Sequence, residues 1–537
     1  MMLSICRRLF STFLILGLPL LLFPSESGAQ DFDPADTLVF SHQSNVGPLN
    51  PHMYAPNEMY GQNMVYDALV VMSREGKILP SLAESWDVSP DGLTYTFHLR
   101  KDMKFSDGTP LDAKAVEMNF KAVMDNKDRH KWMGLVGFIK SFAATGPLDF
   151  QLLLTSPYYP TLEDLSTPRP FRMLSPAAFP DKGITADGIK APIGSGPWKF
   201  AESVLGEYDL FEANENYWGP MPNYSKILVR IIVDPVSRGI AFETGELDLI
   251  FGMGQVNYEV YDRFSKMPGI TAKTSGPMGT YAMAMNTGKS PTDELAVRQA
   301  VEYLTDRDSV AKAVSFGSLK PAGHYISPNM PYCDVGLAPY TFDAAKAASI
   351  LDAAGWTLPA GKKVREKDGK ELTIDYYFVG NRADQKTAAE IVQAQAAKVG
   401  VNLNILGEEE DSWRNRLQTG DFGMIAYPTY GPPNEPHSFM SIMRYPGFSD
   451  YQAQVGLAEK PEIDQAISDA LSSVDPVKRQ EAYKKVLTIF HEECVYLPLY
   501  YNALMAVYRA DQFSAPLEFG NHRNNIPFET FKLNKKK

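Results

Sequence analysis

Cysteine is scarce. Of the three in the chain, Cys6 lies in the first residues, and only Cys333 and Cys494 remain beyond them, either to pair or to stay buried as small apolar residues. A disulfide-dependent scaffold is thereby excluded. Cationic charge is also in deficit: the net charge is −12, and the terminal run Lys535-Lys536-Lys537 reads as a solvated tail, so nucleic acid is not the partner. The eight histidines are scattered without the close spacing that builds a metal site from one helix or turn. No Gly-x-Ser-x-Gly elbow, His-Glu-x-x-His helix or phosphate loop occurs. Gly194-Ser195-Gly196-Pro197-Trp198 imitates an elbow, yet its spacing is wrong and Pro197 would obstruct the helix that an elbow must open. The chain is therefore read as a non-enzyme, with a secreted hydrolase or lyase using scattered carboxylates as the rival class.

Long apolar runs are missing except at the start. Arg7 and Arg8 precede an uncharged stretch from Leu9 to Phe23, and Ser27, Gly28 and Ala29 follow, the charged, apolar, small-residue order of a cleavable signal peptide over 1–29. Pro19 and Pro24 interrupt the stretch, which falls short of the ~20 residues of a spanning helix. Cys6 stands where a twin-arginine signal prefers Ser or Thr, which favours the general secretory route. No lipid-attachment cysteine follows the run, so a soluble periplasmic protein is expected.

What remains exceeds a single core, since cores stop growing near ~250–300 residues, and two or three domains are expected. A polar, proline-rich opening over Asn45 to His52 forbids regular structure. Leu93, Tyr95, Phe97 and Leu99 alternate with Thr94, Thr96, His98 and Arg100, the period of a half-buried strand that leaves His98 on the solvent face. Asp112 caps a helix with Val116, Phe120 and Val123 on one stripe. From about Tyr281 to Tyr501 helices and short strands alternate. Asp343 caps a helix ending at Gly355 with Ile350 and Leu351 inward. Glu371 to Val379, Ala383 to Val399 and Val401 to Ile405 form a β-α-β unit. Asp475-Pro476 opens a helix burying Tyr483, Val486, Leu487 and Phe490. The class is α/β, with one α/β lobe inside a more strand-rich one.

Charged residues in aromatic company carry the chemistry. Asp128-Arg129-His130-Lys131-Trp132 sets two cations and a histidine beside an indole, and Thr167-Pro168-Arg169-Pro170-Phe171 holds Arg169 on a stiff, non-helical segment. Surface charge or a structural ion pair is the plain alternative for either arginine. Arginine is nonetheless the residue suited to bidentate grip on a carboxylate.

Leu82-Ala83-Glu84-Ser85-Trp86, Asp91-Gly92-Leu93-Thr94-Tyr95-Thr96-Phe97-His98-Leu99-Arg100 and Phe105-Ser106-Asp107-Gly108-Thr109-Pro110 resemble the signature of family 5 extracellular solute-binding proteins, which serve ABC importers of peptides and nickel. Asn214-Glu215-Asn216-Tyr217-Trp218-Gly219 and Phe242 to Asp248 extend the likeness. Within that family, Asn45 to His52, Arg129 to Trp132, Tyr158-Tyr159-Pro160, Pro168 to Phe171 and Gly407-Glu408-Glu409-Glu410 resemble the nickel-binding branch.

The resemblance implies a two-lobe periplasmic binding protein fold of type II. Residues 30–278 and 503–537 would form lobe I and 279–502 lobe II, with a hinge near Gly279 and Tyr501. It further implies a monomer without a prosthetic group, delivering a nickel or related transition-metal chelate to an ABC permease. Arg129 and Arg169 would clamp the chelator, and Tyr54, Met59 and Trp132 would line the cleft. The sequence departs from the branch at several points. Phe448 stands at the metal-touching histidine, Tyr430 and Asn434 at a tryptophan and a tyrosine, Arg414 at a tyrosine and Asn524 at a threonine. His437 matches a different histidine and is the remaining metal candidate. The peptide-binding branch is the alternative, but Pro432 stands where its amine-binding aspartate belongs; Glu435 is the nearest substitute.

Overall fold

The computed structural model describes residues 33, 35–54, 59–73, 76–447, 451–520 and 526–534. The leader expected over 1–29, Phe448 and Asn524 lie outside these residues. Among the described residues no helix is long and apolar enough to cross a membrane.

Two β-sheets organise the two lobes of a mixed α/β fold. The first has seven strands in the order Ile270–Thr274, Met505–Arg509, Leu249–Gly252, Thr37–His42, Lys226–Ile231, Tyr208–Ala213 and Trp198–Val204. The strand Met505–Arg509, from the far end of the chain, sits between two strands of the first half and pairs antiparallel with both. The second sheet has five strands, in the order Asn402–Glu408, Thr373–Val379, Met424–Ala426, Gly279–Met285 and Tyr496–Asn502. The chain thus leaves the first sheet after Thr274 and re-enters it at Met505. The two passes run side by side. Ser275 N–H donates to Leu504 O at 2.9 Å, Met278 N–H donates to Asn502 O at 2.8 Å, and Leu504 N–H donates to Ser275 Oγ at 2.9 Å.

A four-stranded antiparallel unit is added to the first lobe: Ala83–Val88, Thr94–Leu99, Asp149–Leu154 and Ile139–Ala144. The alternation read over Leu93 to Leu99 appears as the strand Thr94–Leu99, with Tyr95, Phe97 and Leu99 buried. His98 faces outward between Asp87 Oδ2 at 3.0 Å and Asp149 Oδ1 at 2.7 Å. Helix Ala113–Asp125 covers the sheet, and Asp112 caps it by accepting the Ala115 N–H at 2.9 Å. Its Phe120 ring lies 4.6 Å from the rings of both Phe150 and Phe171. Close aromatic packing of this kind lets one small helix bury a large apolar area.

The β-α-β unit in the second lobe consists of Thr373–Val379, Ala383–Lys398 and Asn402–Glu408, its strands parallel. Residues 370–371 belong instead to a two-residue hairpin with 366–367, so this strand begins later than the apolar pattern suggests. Leu351 of helix Ala344–Ala353 is buried, while Ile350 is only half-buried. That helix presents a narrower apolar stripe than its two adjacent large residues imply. Asp475 caps helix Pro476–Glu492, whose Tyr483, Val486, Leu487 and Phe490 all point inward. Cys333 and Cys494 are both buried and both free.

The glycine turn at Gly194 to Pro197 is a packing device. A Cβ on Gly194 would stand 2.0 Å from Val65 O, and one on Gly196 would stand 2.5 Å from Met64 O. Only glycine admits that approach of two backbones. Between them Ser195 is fully buried and its Oγ donates to Asp67 Oδ2 at 3.1 Å, which gives it a structural acceptor in place of a catalytic base.

Candidate functional site

Four of the side chains singled out by sequence, Tyr54, Arg129, Trp132 and Arg169, converge in one cluster. Arg129 belongs to a short 3-10 turn, Lys127–His130, that follows helix Ala113–Asp125. Trp132 stands just beyond it. Arg169 follows helix Thr161–Leu165 in a non-helical stretch held by the flanking prolines. Tyr54 ends the irregular opening segment, and Met59, buried, begins helix Met59–Val65.

The Tyr54 ring is the centre of this cluster. The Arg169 guanidinium carbon lies 4.6 Å from its centroid and 4.8 Å from the Trp132 ring. Arg129 reaches the same tyrosine at 5.4 Å and donates from Nη2 to Tyr54 O at 2.5 Å and to Met53 O at 3.4 Å. Trp132 Nε1–H donates to the Tyr54 hydroxyl at 2.6 Å. Two cations therefore share one aromatic support, an arrangement in which the ring quadrupoles offset part of the repulsion between like charges. Arg129 is exposed and Arg169 half-buried.

The support is built from neutral polar groups. His130 is buried, with Nδ1 3.4 Å from the Tyr54 hydroxyl. Burial, reinforced by the nearby Arg129, pushes its pKa down to about 4. His52, below it, bridges Asn119 Oδ1 at 3.0 Å and Thr185 Oγ1 at 3.1 Å, and burial holds its pKa at about 4 as well. Burial raises the Tyr54 hydroxyl, an effect that Arg169 opposes. At neutral pH the cluster is thus two permanent positive charges on an uncharged base.

Tyr430 and Asn434 lie on the loop from Tyr427 to Pro436, which follows the strand Met424–Ala426 of the five-stranded sheet. Tyr430 meets the Phe439 ring edge-on at 4.9 Å. Asn434 has a half-buried side chain, and its backbone bonds Gly431 O at 3.0 Å and the Phe439 N–H at 2.8 Å. The loop is pinned to the crossing between lobes. Gly431 has φ +78°, and a Cβ there would stand 1.6 Å from Met278 O. Thr429 and Thr280 are also joined twice, through Thr429 N–H to Thr280 O at 2.9 Å and Thr280 N–H to Thr429 Oγ1 at 2.8 Å.

Two further predicted positions, Arg414 and His437, have partners of their own. Arg414 is on the exposed face of helix Glu410–Thr419, paired with Glu410 at 2.9 Å. His437 is buried, and its Nε2–H donates to Asp164 Oδ1 at 3.2 Å. Among the described residues no group of three or more His, Cys, Asp or Glu side chains is placed to hold a metal ion. Asp164, 273 positions away in sequence, is a residue that sequence reasoning missed. No local pattern joins it to His437.

Comparison with known proteins places the chain. Residues 77–451 match the profile of bacterial extracellular solute-binding proteins, family 5 Middle. The Nickel-binding periplasmic protein of Escherichia coli K12 is 44% identical over 498 residues, covering 93% of this chain and 94% of that one. The Dipeptide-binding protein of the same organism is 26% identical over 90% of this chain and 92% of its own. Among solved structures, NikA from Brucella suis in complex with Fe(III)-EDTA superposes with a TM-score of 0.90 at 47% identity, covering 93% of this chain and all of that one. Whole-length identity of this order, together with the two-sheet architecture, establishes that the chain belongs to the family 5 bacterial extracellular solute-binding proteins.

Proposed function

We propose that this protein is the periplasmic component of an ABC importer that captures nickel, or a related transition metal, as a small organic chelate and hands it to the permease. The observation that carries the reading is the paired guanidinium groups of Arg129 and Arg169 on Tyr54 and Trp132. A chelator such as a polycarboxylate brings its own metal ligands and leaves carboxylate oxygens outward, which two arginine forks can grip through charge-assisted hydrogen bonds. Each such bond contributes about 1.5–3 kcal/mol. The fit agrees with relatives that are a nickel-binding protein and a protein crystallised with Fe(III)-EDTA.

The cargo metal is substrate, carried without a resident prosthetic group. Residues 1–29 act as the export signal. Lobe I is 30–278 with 503–537, lobe II is 279–502, and closure pivots where Ser275 to Gly279 runs beside Asn502 to Leu504. Tyr430 and Asn434 would close over the cargo from lobe II, with Met59 on the lobe I side.

A dipeptide cargo fits less well. Its ammonium group needs a carboxylate partner, and burying an unpaired charge costs several kcal/mol. Pro432 offers none, and Glu435 Oε1 accepts the Gly431 N–H at 2.7 Å.

The decisive experiment is native mass spectrometry with elemental analysis of freshly purified periplasmic protein. A one-to-one complex with a metal and a carboxylate chelator is expected. A metal-free peptide adduct would overturn the reading.

A further inference from the structure

The segment Tyr158-Tyr159-Pro160 and the helix Thr161–Leu165 behind it take no part in the arginine cluster, yet they touch the second lobe at several points. Tyr159 N–H donates to Leu471 O at 3.0 Å. The Tyr159 and Tyr483 hydroxyls are 2.7 Å apart. The Arg479 guanidinium lies 4.5 Å from the Tyr159 ring. Asp164 Oδ1 receives the His437 Nε2–H.

Asp164 is built to receive it. Its other oxygen, Oδ2, accepts the Leu135 N–H and the Tyr158 hydroxyl, each at 3.0 Å. Both donors come from the same lobe as Asp164, so the carboxylate is fixed in place whether or not the second lobe is near. The side chains of Asp164 and His437 are 1% and 3% exposed. A hydrogen bond between groups this deeply buried exists only while the lobes are together, because separation returns both partners to water. Alongside lies a cavity of about 80 Å³ lined by Tyr159 and Glu163 from one lobe and Tyr332, Glu435 and His437 from the other. Residues from both lobes therefore make this contact, its buried polar groups set beside apolar ones.

We propose that Asp164 and His437, with Tyr159 and Tyr483, form a closure clasp: positioning residues that hold the lobes shut and set how long cargo stays, without touching the cargo. The inference rests on the two-lobe closure described above and on no particular ligand. His437 sits at the start of helix His437–Ile442, one residue after the loop that carries Tyr430 and Asn434. The clasp consequently fixes the position of that wall relative to Arg129 and Arg169.

The test compares wild type with the double variant His437→Ala/Tyr483→Phe and with His437→Gln, whose amide N–H can reach the same carboxylate. Small-angle scattering of the ligand-free proteins should show a larger radius of gyration for the double variant and near wild-type dimensions for His437→Gln. In stopped flow with nickel–histidine as probe, the double variant should release about tenfold faster with an unchanged association rate, as loss of one or two buried hydrogen bonds implies. Superimposable scattering curves for wild type and the double variant overturn the clasp. Because that arm contains no ligand, it decides the clasp even where wild type ignores nickel–histidine, an outcome that counts against the chelate reading alone.

Discussion

The guanidinium of Arg169 sits in the corner of two perpendicular rings, 4.6 Å from the centroid of Tyr54 and 4.8 Å from that of Trp132. A lysine ammonium would keep the charge there but offers no bidentate fork to a carboxylate. Arg169→Lys is expected to weaken binding of an anionic chelate roughly 10–100-fold, in line with the loss of about 1.5–3 kcal/mol of charge-assisted bonding. Titration calorimetry with nickel–histidine and with Fe(III)-EDTA measures it. Unchanged affinity in both Arg169→Lys and Arg129→Ala would remove the arginines from the binding reaction.

Gly431 is where the second-lobe wall meets the crossing. Alanine there would combine a left-handed backbone with a methyl group driven into Met278 O. Left-handed geometry alone costs an L-residue about 1–2 kcal/mol, and the collision forces the loop to move as well. Gly431→Ala should lower both thermal stability and chelate affinity. Gly245→Ala is the control, because it shares a positive φ of +85° but has open space around it; it should show the backbone cost alone and leave affinity untouched.

The four-stranded unit depends on Phe120, which is fully buried among Phe150 and Phe171. Phe120→Ala should cost about 3–5 kcal/mol through lost burial and the cavity left behind. Calorimetry should place the loss in the transition that includes this unit, since a two-lobed protein need not unfold in one step.

His52 supplies a pH signature. Its pKa falls from the ordinary 6.5 to about 4 in the fold, so the unfolded chain binds its proton more readily. Its contribution is complete above about pH 6.5 and is lost as pH drops toward 4, by up to roughly 3 kcal/mol. Urea unfolding of wild type and His52→Gln should differ most at pH 7, with the gap narrowing toward pH 4.5. A gap independent of pH would show that this imidazole does not carry the proton linkage.

Periodicity and caps were legible because they are local. The strand at Thr94–Leu99 and the aspartate caps at Asp112, Asp343 and Asp475 each follow from a few adjacent residues. Arg129, Trp132 and Arg169 stood out through their aromatic and proline neighbours, and the fold brings them to Tyr54. What stayed hidden depends on distant pairing. No pattern around His437 announces a carboxylate from the other half of the chain, and nothing around Arg414 says that its helix turns that side outward to Glu410. The strand start at Thr373 was blurred for a related reason: the preceding Lys370 and Glu371 pair with Glu366 and Lys367 in a separate hairpin.

The bonds from Ser275 to Leu504 and from Met278 to Asn502 mean that the intervening stretch departs from and returns to nearly one spot on the seven-stranded body. Such a stretch resembles an insertion grafted into a surface turn. Replacing residues 279–502 by a few glycines would leave the cut ends neighbouring, so the join itself closes only a short loop, while apolar surface on both remaining portions, buried against the excised stretch in the intact chain, would meet water.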